Sequence, residues 1–175
     1  MLKTLLLIGL ISSMSFASEP RSDNREKFIY IMPDDRGWQL VEQCTRSVYY
    51  PETFWRVTEA QVDAIEKRLV KHLEKLKEQK ASFVPEALNN YKRQYIGFEL
   101  EGESYFYGNF FPKDADLEVD PIRRGVVTCR GDKRYWGFLF NIDTFKFVTV
   151  ERNDKMVKPP GAWDPKRSKP QEPQK

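Results

Sequence analysis

The chain has 175 residues, with 29 Lys plus Arg against 26 Asp plus Glu, a single His and two Cys. That length suits one compact domain. Charged residues at 31% and hydrophobic residues at 40% exclude both a membrane-spanning chain and a wholly disordered one. One His and two distant Cys leave little material for a transition-metal site or a His-based catalytic apparatus, so no cofactor is expected.

Residues 1–17 have the pattern of a secretory signal peptide. Lys3 supplies a basic start, Thr4 to Ile11 is an almost unbroken apolar run, and Ser15-x-Ala17 fits a cleavage site after Ala17. The run is too short to span a bilayer. The expected location is therefore periplasmic or secreted, with no transmembrane segment in the mature chain. Residues 18–27 read as a polar, flexible leader to a single domain over 28–153.

Along that domain, Phe28 to Met32 predicts a short strand stopped by Pro33 and the turn at Asp34 to Gly37. Trp38 to Cys44 fits a helical turn and a strand equally, and Tyr49 to Trp55 is aromatic and irregular. Thr58-Glu59-Ala60-Gln61 is a capping box, with Val57 and Val62 placed as a hydrophobic staple. Val62, Ile65, Leu69, Leu73 and Leu76 then draw one apolar stripe, which predicts an amphipathic helix over 59–79. Such a stripe needs a sheet to cover.

The remaining domain supplies one. Strands are predicted at 92–100, 104–111, 125–130, 135–141 and 145–151, joined mostly by tight turns such as Glu101-Gly102-Glu103 and Asn141-Ile142-Asp143-Thr144. The expected fold is α+β: one long helix on a four- to five-stranded antiparallel meander. Export favours a disulfide between Cys44 and Cys129. The tail from Asp154 to Lys175 holds six cations (Lys155, Lys158, Lys166, Arg167, Lys169, Lys175) and three acids, so most of the net +3 belongs to it. Five prolines and one large apolar residue, Trp163, make it a disordered Pro/Lys-rich tail in expectation. With the basic excess confined there, nothing predicts nucleic-acid binding.

Several residues invite chemistry. His72 flanks the helix stripe, with no second His or nucleophile motif to partner it. Asp114, Asp116, Glu118 and Asp120 alternate as in a calcium loop, but Val119 stands at the sharp-turn position and Gly125 where the bidentate Glu belongs. They read as a solvated acidic loop. Glu99, Glu101 and Glu103 cluster at the first hairpin and support the alternative of a small carboxylate-dependent hydrolase acting on cell-wall or glycan substrates. Aromatic residues fall on both sides of the strands, so the helix can bury one face only. The Tyr49–Trp55 segment, pinned by the disulfide, is the expected cover for the other.

The runs Val126-Val127-Thr128-Cys129-Arg130-Gly131, Tyr135-Trp136-Gly137-Phe138 and Asn141-Ile142-Asp143-Thr144-Phe145-Lys146-Phe147 resemble a pattern in small exported bacterial proteins of unknown function. Tyr91 to Gly97 and Asn109 also look similar. The resemblance covers roughly residues 52–150 and implies no activity and no site residues. Helix before antiparallel sheet is also similar to the cystatin-like element order, an analogy that does not fix function. The expected function is that of an exported, non-catalytic binding or accessory protein of the bacterial envelope, inhibitor-, immunity- or adaptor-like. Its partner would be a protein or envelope component, met by an aromatic-rich sheet face carrying Tyr95, Tyr105, Tyr107, Arg134 and Trp136.

Overall fold

The structure, a computed structural model, describes residues 28–46, 49–129 and 132–154. The expected signal peptide (1–17), the expected leader (18–27) and the expected disordered tail, from residue 155 on, lie outside the described residues. The elements in chain order are β1 (Ile29–Ile31), α1 (Trp38–Val41), β2 (Thr53–Trp55), α2 (Glu59–Glu78), β3 (Tyr91–Leu100), β4 (Glu103–Pro112), β5 (Trp136–Asn141) and β6 (Lys146–Arg152). Among the described residues the fold is α+β, with two α-helices and a mixed six-stranded sheet.

α2 begins where the sequence places it. Thr58 Oγ1 accepts from Gln61 N at 3.2 Å and Gln61 Oε1 accepts from Thr58 N at 2.8 Å, which closes the capping box. Its buried face carries Val62, Ile65, Leu69 and Leu73. Each contributes about 1.5–3 kcal/mol by leaving water. The stripe lies on Tyr91, Tyr95, Phe106, Phe110, Trp136 and Phe138 of the sheet, where Phe110 stacks on Trp136 at 3.9 Å between ring centres. His72 lies half-buried at the edge of this layer and stacks on Phe147 at 4.6 Å; burial, and then Lys75, lower its pKa from 6.5.

The sheet runs β1-β3-β4-β5-β6, with β2 also pairing β3. β3 through β6 form the expected antiparallel meander. The β3–β4 hairpin turns on Glu101 and Gly102, both at positive φ (54° and 76°), the geometry that suits a right-twisted two-residue hairpin.

Three expectations are corrected. The sheet is not wholly antiparallel: β1 runs parallel to β3 (Ile29 opposite Arg93), while β2 runs antiparallel to it (Phe54 opposite Phe98). The chain reverses between β1 and β2, yet both dock on one edge of β3, so one of them must run parallel. Nor is the helix alone, because Trp38–Val41 adds a short second one. The segment predicted as a strand at 125–130 is irregular over its described residues, 125–129.

The second sheet face is covered by the chain itself. Met32, Leu40 and Val41 pack on Ile96, Phe98, Tyr107 and Leu139, and Tyr49 and Phe54 join at the margin. Cys44 and Cys129 form a disulfide with 5.1 Å between Cα atoms, within the ordinary range for a bridge. It ties this cover to the segment 125–129.

Candidate functional site

Gln94 and Asn109 are polar residues at core-facing positions of neighbouring strands. Gln94 shares its side of β3 with Ile96 and Phe98, and Asn109 shares its side of β4 with Tyr107; both are fully buried and sit opposite each other in register. Besides bonding each other, their amides hold main chain. Gln94 Nε2 donates to the carbonyls of Pro121 (2.8 Å) and Arg124 (2.7 Å), while Gln94 Oε1 accepts from Val126 N at 2.9 Å. Asn109 Nδ2 donates to the Val126 carbonyl at 2.9 Å. On the far side, Gly125 N donates to Gln39 Oε1 at 2.8 Å, and Asn153 Nδ2 donates to the Thr128 carbonyl at 3.3 Å.

These bonds explain why residues 125–129 are not a strand: side chains have taken main-chain groups that a ladder would pair. Gly125 is required by closeness, since a Cβ there would stand 2.8 Å from the Gln39 carbonyl oxygen.

The suspended segment forms one wall of a cleft of about 820 Å³. Trp38, Gln39, Glu42, residues 116–119, Asp132 and Tyr135 line the rest of it. Trp38 is 47% exposed and Val127 39% exposed. Among the described residues, four carboxylates line the cleft (Glu42, Asp116, Glu118, Asp132) with one cation, Arg124. Burial opposes the charge of Asp132, but hydrogen bonds from Arg134 outweigh it and hold the carboxyl below its ordinary range. The arrangement can take a cationic, extended ligand that offers apolar surface to an aromatic ring.

The alternating acids of the loop divide between tasks. Asp114 pairs with Arg134 at 3.4 Å and Asp120 with Arg123 at 3.6 Å, while Asp116 and Glu118 face the cleft. Among the described residues no group of three or more His, Cys, Asp or Glu side chains is placed to hold a metal ion.

Behind Asn109 lies Arg46, buried under the second-face cover. Its guanidinium donates to Asn109 Oδ1 at 2.5 Å, but Nε and the remaining terminal nitrogen have no hydrogen-bond partner among the described residues. Burial lowers its pKa, opposed by Tyr107, Glu151 and Tyr49. A Cβ at Gly137 would strike this guanidinium, so β5 carries glycine where Arg46 crosses it. The neighbouring Tyr107 hydroxyl is also buried without a partner there, and burial pushes its pKa up to about 12.

A second cleft, of about 650 Å³, runs beside α2. Glu66 and Arg93 at its floor form a buried bidentate pair (2.7 and 3.2 Å), and Tyr95 donates its hydroxyl to Glu66 Oε1 at 2.7 Å. Burial works against the Arg93 charge, but Glu66 outweighs it and its pKa is raised. Two further Arg93 bonds go to the carbonyls of Leu88 and Tyr91, both at 3.0 Å. The floor is committed inward.

The five residues expected to meet a partner do not form a patch. Tyr95, Tyr107 and Trp136 are buried and have no surface to offer. Tyr95 lies on the α2 side, opposite in face to Tyr107, because Ile96 and not Tyr95 is paired with Tyr107. Tyr105 is half-buried and donates to Glu103 at 2.6 Å. Arg134 is on the surface, paired with Asp132 at 3.0 Å. Glu99, Glu101 and Glu103 stand exposed at the hairpin end and line neither cleft.

Reading the chain for exposed aromatics missed the cleft. The usable signal was Gln94 and Asn109, two amide side chains at core parity, which mark main chain that must be bound from the side. No family model, curated protein or solved structure matches the chain.

Proposed function

We propose that the protein is an exported, non-catalytic binding or accessory protein of the bacterial envelope, and that its contact site is the acidic cleft beside the disulfide. The partner chemistry is a basic, extended polypeptide segment. The observation that carries this reading is the pairing of the exposed Trp38 ring and Val127 with four carboxylates across one cleft, on a wall held by buried amides. Aromatic and acidic groups on a rigid frame give both contact area and selection by charge. The Cys44–Cys129 bridge favours an oxidising compartment, in line with the signal-peptide pattern of residues 1–17. Among the described residues no helix is long and apolar enough to cross a membrane.

The test is a titration of the chain with synthetic Lys/Arg-rich and Asp/Glu-rich peptides of matched length. Selective binding of the basic peptides, abolished by Asp116→Lys with Glu118→Lys at an unchanged melting temperature, supports the site. Equal binding of both sets, or binding indifferent to those substitutions, removes it.

A further inference from the structure

We infer that the chain's own C-terminal tail, residues 155–175, folds back into the acidic cleft and competes there with any outside basic segment. The inference rests on reading that cleft as a binding site, and it adds a resident occupant.

The first observation is where the described chain ends. Asn153 N donates to the Tyr135 carbonyl at 2.7 Å, and its side-chain amide donates to the Thr128 carbonyl at 3.3 Å. Tyr135 and Thr128 both line the cleft. The tail therefore starts at the rim, two residues past an anchor that belongs to the site. Tethering at so short a range holds the local concentration of tail near the millimolar scale, so a contact too weak to matter between molecules is occupied within one.

Charge is the second observation. Residues 155–175 carry six cations against Asp164 and Glu172, while among its described residues the cleft presents Glu42, Asp116 and Glu118 with Arg124, its fourth carboxylate, Asp132, being paired with Arg134. Opposite charges held within a Debye length, about 8–10 Å near physiological salt, attract with little screening.

Shape is the third. Pro159-Pro160, Pro165, Pro170 and Pro173 favour the polyproline II form, which loses little entropy on binding and is recognised in grooves lined by aromatic rings. Trp38 and Tyr135 supply such rings here, and Trp163 is the tail's one large apolar side chain. At about 3.1 Å per residue, the segment from Lys155 to Trp163 extends roughly 25 Å in that form. A partner must then displace the tail, so the tail sets the threshold for binding.

The test uses the full chain in nuclear magnetic resonance, compared with a variant carrying Lys155→Ser, Lys158→Ser, Lys166→Ser and Arg167→Ser. Amide shifts confined to cleft residues such as Leu117, Val127 and Thr128, unchanged by dilution, support docking in cis. The variant should also bind synthetic peptide 155–175 about tenfold more tightly than the full chain does, because its cleft is vacated. Equal affinity, no shift at the cleft, or shifts elsewhere overturn the inference. Shifts that fade on dilution assign the tail to a second copy and overturn it as well. If the shifts are absent while basic peptides still lose binding on Asp116→Lys with Glu118→Lys, the tail inference fails and the cleft stands. If no basic peptide responds to those substitutions, the cleft itself is the failed premise.

Discussion

Asn109 Nδ2 donates to Gln94 Oε1 at 3.2 Å across the β3–β4 pair, and the same two amides hold the wall of the cleft. Gln94 alone serves three main-chain groups, of Pro121, Arg124 and Val126. Gln94→Leu should therefore cost about 2–4 kcal/mol, because it strands several polar groups at once. Chemical denaturation measures the loss, and hydrogen exchange should show residues 121–129 opening first. Intact protection there, with stability lost elsewhere, would contradict the suspension of the wall.

The Glu66–Arg93 pair has side chains only 2% and 5% exposed. Glu66→Gln should lower stability by about 3–5 kcal/mol by leaving Arg93 charged and short of its partner. The double change Glu66→Leu with Arg93→Met should recover most of that loss. A double variant as unstable as the single one would show that the pair is not the source of the effect.

Tyr107 gives a different sign. Its buried hydroxyl has no partner among the described residues, so Tyr107→Phe should stabilise the protein by up to about 1 kcal/mol at neutral pH. The folded-state pKa, pushed up to about 12 by burial, stands above the ordinary tyrosine value of 10.0. Stability tied to the protonated hydroxyl is thus fully present below pH 10.0 and is lost as pH rises towards 12. The Phe variant should lack that part of the alkaline decline. Melting curves between neutral and alkaline pH decide it, and a variant less stable at neutral pH would mean the hydroxyl is bonded in solution.

Reducing the Cys44–Cys129 bridge releases a link between positions 85 residues apart. The expected loss is about 4–5 kcal/mol on the chain-entropy account. Hydrogen exchange should rise first in residues 28–46 and 125–129, before the α2 layer responds. Uniform loosening of the whole sheet would mean the bridge braces more than the second-face cover.

Much of this was legible because local chemistry and global packing agree in α2. A capping box, a staple and an apolar stripe all point to one helix, and α2 ends within a residue of the predicted limit. The β3–β4 and β5–β6 hairpins were readable from their short polar turns, although Glu101 and Phe145 take positive φ there. Residues 125–129 were not. Val126-Val127 has strong β propensity, but the main chain of Val126 is claimed by Gln94 and Asn109 and that of Thr128 by Asn153, residues 17 to 32 positions away. The parallel pairing of β1 was hidden for a related reason. Three residues dock through an edge that β2 also uses, and nothing local records a choice made by another strand. The expected sheet patch failed on parity: Tyr95 and Tyr107 read as neighbours on adjacent strands, and one position of register puts them on opposite faces.

The order in which the chain is made has its own consequence for the split edge of β3. β1 and β2 are synthesised before the strand they pair with, and Cys44 precedes Cys129 by 85 residues. Until β3 and β4 exist, the first thirty residues of the domain have no surface to settle on, and their thiol has no intramolecular partner. The hairpins and α2 are expected to assemble first, because their contacts are short in sequence. The N-terminal segment closes over the finished sheet last. A cell that makes this protein must keep one thiol from pairing with strangers throughout that wait.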